Sequence, residues 1–114
     1  MNSIQCKEIE RHLAWQGMRS LREIEIVLAN EIPFTYVLSQ SPSGNVYYLS
    51  YTKGGYKKMI HISFRRVTTY RHNTIKNGFR NGSNIIFSTV DNLVRYKMKG
   101  KGIPFAPLSL NLSA

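Results

Sequence analysis

The chain is short of several things that would define a function at once. A single cysteine, Cys6, among 114 residues excludes an internal disulfide framework and fits a reducing compartment. Acid is scarce. Six Asp/Glu stand against sixteen Lys/Arg, a formal net charge of +10, so a partner drawn by charge is a polyanion: nucleic acid, anionic lipid, a phosphorylated peptide or an acidic protein. No apolar run approaches the roughly 18–20 residues of a membrane span. Lys7, Glu8, Glu10 and Arg11 interrupt the N-terminal apolar positions, so that stretch does not read as a signal peptide. There is no phosphate-loop or dinucleotide glycine pattern, no His-Glu-x-x-His and no Cys/His zinc spacing. The three histidines, His12, His61 and His72, fall in three different segments with no evident carboxylate orienter, and Glu8, Glu10, Glu23 and Glu25 read as solvent-facing helix residues. An enzyme, a metal centre and a bound cofactor are therefore not expected.

What is present is a patterned domain of ordinary apolar content, long enough for one hydrophobic core. Cys6, Ile9 and Leu13 recur at helical spacing and predict a short helix over 3–13. Ser20 followed by Glu23 is a capping box, and Leu21, Ile24, Val27 and Leu28 then form one apolar face of a helix over 21–29. Three strand-like segments follow. "FTYVLSQS" (34–41) and "VYYLSYT" (46–52) are joined by the turn "PSGN" (42–45), and "KKMIHISFRRV" (57–67) comes after a turn at Gly54-Gly55. In the third, Ile60, Ile62 and Phe64 alternate with Met59, His61, Ser63 and Arg65, one greasy face against one polar and basic face. Residues 68–84, "TTYRHNTIKNGFRNGSN", are basic and Asn/Gly-rich; they read mostly as exposed loop, with room for one short strand. "IIF" (85–87) is a short strand, and Ser88 caps a second helix with apolar positions Val90, Leu93, Val94 and Met98. The expected fold class is α+β, a central antiparallel three-stranded sheet flanked by two helices.

Element order and several residues together resemble a Src homology 2 domain, the phosphotyrosine-peptide module, over residues 14–108. An N-terminal helical extension (1–13) and a tail (109–114) lie outside it. "AWQGMRSLREIEIVLAN" resembles the family's opening Trp-aromatic-x-Gly and first helix, with Gly17, Glu25, Val27 and Leu28 in matching places. "YVLSQS" sits where the family writes Phe-Leu-Val-Arg-Glu-Ser, and "VYYLSY" resembles its Tyr-x-Leu-Ser strand. "IHISF" resembles its His-containing fourth strand, and "FSTVDNLVRYKMKGKGIPFAPL" its closing helix and tail. The short loop before the second strand and the long basic insert also resemble compact domains of bacterial effectors that act inside host cells.

The resemblance implies a non-enzymatic peptide-binding module, soluble, intracellular (host cytosol for an effector) and monomeric, whose partner is a tyrosine-phosphorylated peptide or another acidic ligand. Nucleic acid is not the expected partner. It also exposes a departure. The family's phosphate-binding strand arginine is Ser39 here, Leu21 holds the place of a helper arginine with Arg19 and Arg22 beside it, and Ser63 replaces a frequent lysine. The implied phosphate site is Ser39, Ser41, Ser43, His61, Ser63, Arg65 and Arg22, with the turn "SPSG" offering backbone N–H groups. Ile62 and the basic segment with Arg71, His72, Lys76 and Arg80 would bear on flanking peptide residues. Weakened or rewired phosphotyrosine binding competes with two alternatives: a phosphorylation-independent scaffold, and a charge-driven binder of nucleic acid or anionic lipid.

Overall fold

A computed structural model of the chain describes residues 8–44, 46–53, 59–82 and 85–105. The fold is α+β with a mostly antiparallel sheet. Its strands are β1 (Trp15–Met18), β2 (Thr35–Gln40), β3 (Tyr47–Thr52), β4 (Met59–Arg71), β5 (Thr74–Arg80), β6 (Ile86–Phe87) and β7 (Ile103–Pro104), with helices α1 (Leu21–Leu28) and α2 (Val90–Lys97). Of the helix predicted over 3–13, residues 8–10 are helical, residues 11–13 form turn and bend instead, and residues 3–7 lie outside the described residues, as do the Gly54-Gly55 turn and the 109–114 tail.

α1 starts where its cap chemistry predicts. The Glu23 N–H donates to Ser20 Oγ (3.2 Å) and the Ser20 N–H donates to Glu23 Oε1 (2.9 Å), satisfying two N–H groups that the helix itself leaves unpaired. The Ser20 backbone N–H, with the Ser20 hydroxyl and the Arg19 charge adding, holds the Glu23 carboxyl below its ordinary pKa. α2 is capped by Thr89 rather than Ser88: Thr89 Oγ1 accepts from the Asn92 N–H at 3.1 Å, while the Ser88 hydroxyl accepts from the Asn92 side chain.

The sheet is larger than the three strands expected, with order β1-β2-β3-β4-β5-β6 and β7 joined to β2. The difference is a correction to the segment read as loop. β4 runs on to Arg71 and returns as β5, in register from Arg65↔Arg80 to Arg71↔Thr74. The two residues between them, His72 (φ 50°) and Asn73 (φ 62°), both occupy the left-handed region, the requirement of the tight hairpin turn whose twist matches the strands. Asn and His tolerate that conformation better than most residues, so the Asn-rich composition marked a turn inside a hairpin and not a long loop.

β4 changes partner along its length. Residues Met59–Phe64 pair with β3, and Arg65–Arg71 pair with β5. Alternation then gives each face its contents. On one side Tyr36, Leu38, Tyr47, Leu49, Phe64 and Phe79 are buried with Ile9, Ala14 and the inner face of α2, Leu93, Val94 and the following Met98. Tyr47 stacks on Phe64 (5.5 Å) and Phe64 meets Phe79 edge-on (5.8 Å), so the aromatic core runs continuously across the change of partner. On the other side Ile24 and Leu28 of α1 bury against Val37, with Val27, Met59 and Phe105 around them.

The N-terminal turn is tied to α2 by His12. Its Nδ1 accepts from the Ala14 N–H (3.0 Å), so Nε2 carries the proton and donates to Asp91 Oδ1 (2.8 Å). Beside them a pocket of about 180 Å³ is lined by Tyr36, Asp91, Arg95, Gly100 and Gly102. Burial, with the Asp91 charge adding, pushes the Tyr36 phenol up to about 12.

Two outcomes follow from this packing. A Cβ at Gly78 would lie 2.7 Å from the Phe87 carbonyl oxygen and 2.6 Å from Ile86 Cγ2, so β6 closes on β5 only because residue 78 has no side chain. Gly78→Ala is expected to destabilise by roughly 1–3 kcal/mol in urea denaturation; an unchanged midpoint would contradict the close approach. Because the folded-state pKa of Tyr36 is raised, its share of stability is complete below pH 10 and drains away as pH rises to about 12. Tyr36→Phe is expected to remove that alkaline loss in pH-dependent melts and to delete one phenol titrating near pH 12 from the ultraviolet titration.

Candidate functional site

The side of the sheet under α1 collects most of the residues singled out from sequence. The start of α1 sits at the end of β2, since the Arg19 N–H donates to the Gln40 carbonyl at 3.1 Å. Strand register then defines two rows on that face. One is Val37↔Ser50↔His61, and the next, nearer the helix start, is Ser39↔Tyr48↔Ser63. Directly opposite residues share a face, so Ser39 and Ser63 flank the Tyr48 side chain.

His61 is held from two directions. Nδ1 lies 2.7 Å from Ser50 Oγ, and Nε2 lies 3.1 Å from Glu25 Oε2. A carboxylate can only accept, so Nε2 carries a proton; Nδ1 accepts from the Ser50 hydroxyl in the neutral ring, or donates to it in the imidazolium. Neither Glu25 nor Ser50 belongs to the set expected from sequence. Glu25 is also not merely solvent-facing, and both His12 and His61 have the carboxylate orienters that seemed absent, Asp91 and Glu25. The missing signal was contact order: Glu25 and His61 lie 36 residues apart, His12 and Asp91 79 apart.

Ser39 is fully buried, 0% exposed, and its Oγ has no hydrogen-bond partner. It is a floor residue with no surface of its own for a ligand. The adjoining turn is largely self-satisfied. Gly44 N–H donates to Ser41 O (2.8 Å), Ser41 N–H to Val46 O (2.8 Å), and Ser41 Oγ sits 3.0 Å from Ser43 Oγ and 3.4 Å from the Val46 N–H. The backbone donors of Ser41 and Gly44 are thereby spent inside the turn rather than left to cradle an anion, while the Ser43 side chain is exposed.

The cations divide. Arg19 is engaged, its Nε donating to Gln16 O (3.1 Å) and its Nη1 3.8 Å from Glu23 Oε2. Arg22 is exposed in the first turn of α1, three residues before Glu25. Ser63 and Arg65 are exposed on the same face of β4. Ile62 points the opposite way and packs on the α2-side core, so it does not adjoin Ser39. Of the basic segment, Arg80 stands directly opposite Arg65, Lys76 opposite Thr69 on that same face, and His72 in the hairpin turn, while Arg71 ends β4 opposite Thr74. Ser63, Arg65, Arg66, Val67, Arg80 and Gly82 line a groove of about 310 Å³.

This arrangement limits the chemistry. Ser50, His61 and Glu25 place hydroxyl, imidazole and carboxylate in one chain, the components of an acyl-transfer triad. However, Ser50 is 0% exposed, so no substrate carbonyl reaches its Oγ as placed. Among the described residues no three His, Cys, Asp or Glu gather as metal ligands, and no helix is long and apolar enough to cross a membrane. Neither a comparison with models of known protein families nor one with curated proteins found a match.

The burial of Ser39 has a measurable consequence. Ser39→Ala removes an orphan hydroxyl and is expected to leave stability unchanged or raise it by about 1 kcal/mol. Ser39→Arg must place a guanidinium in a fully packed position, and is expected to cost several kcal/mol unless an anion is present. Denaturation of both variants with and without phosphate checks this; a neutral Ser39→Arg in phosphate-free buffer would show that the floor opens freely.

Proposed function

We propose that the chain is a non-enzymatic peptide-binding module of the Src homology 2 kind. It would take a tyrosine-phosphorylated or comparably acidic segment on the α1 side of the sheet, without the usual arginine, whose place Ser39 holds. The observation that carries this reading is the charge layout. Residues 32–90, which include β2 through β6, hold eight Lys/Arg and no Asp or Glu. Arg22, at the start of α1, and Arg65, beyond Ser63 on β4, are both exposed. Support for the architecture comes from a sheet set between two helices, with Ser39 on its second strand and His61 on its fourth.

Loss of one partner from a buried, hydrogen-bonded charge pair costs about 2–5 kcal/mol, roughly 30-fold to several thousand-fold in affinity. A module without the strand arginine therefore binds weakly or draws its charge from elsewhere. His61 is a poor substitute, because Ser50 and Glu25 already occupy its two nitrogens. The remaining sources include the exposed Arg22, Arg65 and Arg80.

One observation favours the second reading, a phosphorylation-independent protein contact. Glu25 brings a carboxylate to His61, where an incoming phosphate would meet like charge, and Ser39 is sealed.

Fluorescence anisotropy with labelled phosphotyrosine peptides and their unphosphorylated twins separates the two. The proposed function expects the phosphorylated form to bind at least about tenfold more tightly. Equal binding of both, or none up to low millimolar protein, would sink phosphate recognition. Equal binding that collapses steeply with added salt would point instead to nucleic acid or anionic lipid.

A further inference from the structure

We propose that Arg65 and Arg80 together form a site for a phosphomonoester dianion, one row along the sheet from the sealed position at Ser39. As a route to phosphotyrosine, the site rests on the function proposed above; as an anion site, it stands on its own geometry.

The two arginines are direct cross-strand partners at the first pair of the β4–β5 ladder. Their side chains therefore leave the sheet on the same face, side by side. Like charges in that relation repel; solvent screens part of the repulsion between exposed side chains, and an anion bound between them would turn it into attraction. Among the described residues neither arginine is paired with a carboxylate; the ion pairs engage Asp91, Glu23 and Glu25 instead. The nearest acids in sequence are Glu31 and Asp91, outside the hairpin on either side. The charge left over has the form of two guanidinium forks, suited to the two or more free oxygens of a phosphate.

The surroundings make a receptacle of the pair. Arg65 and Arg80 line the groove of about 310 Å³ with Ser63 and Val67 of the same strand face, and Phe64, Arg66 and Gly82 complete its lining. Ser63 supplies a hydroxyl at one end, with its carbonyl held by Asn81 Nδ2 at 2.6 Å, which pins the chain after β5 against β4. Ser63 is also the outer member of the Ser39↔Tyr48↔Ser63 row. Two residues further along β4, about 6.6 Å, comes Arg65. A phosphotyrosine ring lying over Tyr48 and Ser63 would thus carry its phosphate to the arginine pair instead of down to position 39.

The pair predicts a sign reversal that a merely solvated pair does not give. In phosphate-free zwitterionic buffer, Arg65→Ala and Arg80→Ala relieve repulsion, and each melts at or above the wild-type temperature. With inorganic phosphate or phenyl phosphate added, the wild type gains stability relative to an NaCl control of equal ionic strength, and both variants lose that gain. In ¹H–¹⁵N NMR titrations of the full chain, inorganic phosphate, phenyl phosphate and a phosphotyrosine peptide are each expected to give saturable shifts at residues 63, 65 and 80. Each alanine variant is expected to weaken the phosphopeptide by roughly 3- to 10-fold, the range for a charge contact made by an exposed arginine. A phosphopeptide bound tenfold or more tighter than inorganic phosphate assigns the ester in a peptide as the ligand; equal affinities assign the free ion to the same site.

Absence of shifts at these residues with every probe overturns the site. It is equally overturned if the phosphopeptide binds but Arg22→Ala, not Arg65→Ala or Arg80→Ala, carries the loss; that result leaves phosphotyrosine recognition standing. Conversely, protection by phenyl phosphate through Arg65 and Arg80, with no preference for phosphorylated peptide, keeps the anion site and removes the peptide reading.

Discussion

The structure turns on one strand that changes neighbours. β4 is thirteen residues long, too long for a single partner of β3's six, and it trades β3 for β5 between Phe64 and Arg65. The trade is possible because Phe64, nearly fully buried, stacks on Tyr47 before the junction and meets Phe79 after it, so one aromatic core serves both halves. Because the same strand crosses the junction without breaking its alternation, residues two apart stay on one face. His61, Ser63 and Arg65 are carried in line from the region covered by α1 out to the hairpin. The polar row and the basic row are one surface for this reason.

That surface has an interior and an exterior chemistry. Under α1 the polar groups answer one another: Glu25 to His61, His61 to Ser50, the turn hydroxyls to each other. Past Ser63 the first cross-strand pair sets arginine against arginine, and among the described residues no carboxylate pairs with either. A buried polar group without a partner is costly, and Ser39 is one such cost retained. Its neighbours show what a serine permits there: a sealed floor, with Tyr48 between it and Ser63.

Much of the scaffold could be read directly from residues. The capping box at Ser20 and Glu23 announced α1, the alternation of Met59–Phe64 announced a two-faced strand, and the Ser/Pro/Gly turn announced the β2–β3 hairpin. The second hairpin escaped because its turn residues, His72 and Asn73, lack the glycine that usually marks such turns, while the surrounding Asn and Gly suggested a loop. The candidate site was legible only in part. Ser63 and Arg65 follow from a period of two, whereas Arg80 opposite Arg65, or Glu25 on His61, depends on pairing across 15 and 36 residues. No local pattern encodes such a distance.

A last consequence concerns how the sheet is closed. β1 and β7 both lie parallel to β2 on the edge that β3 leaves free, β1 along Leu38–Gln40 and β7 along Thr35–Tyr36. The strand that carries Ser39 is therefore shut from outside by two short pieces, one from near residue 15 and one from near residue 104. Folding must bring both into place before that edge is complete, a non-local condition that tends to slow folding. In the language of assembly, β2 is a seam with two separate fasteners. Releasing either would leave half of an unpaired edge open to strand addition from another chain, next to the floor of the candidate site.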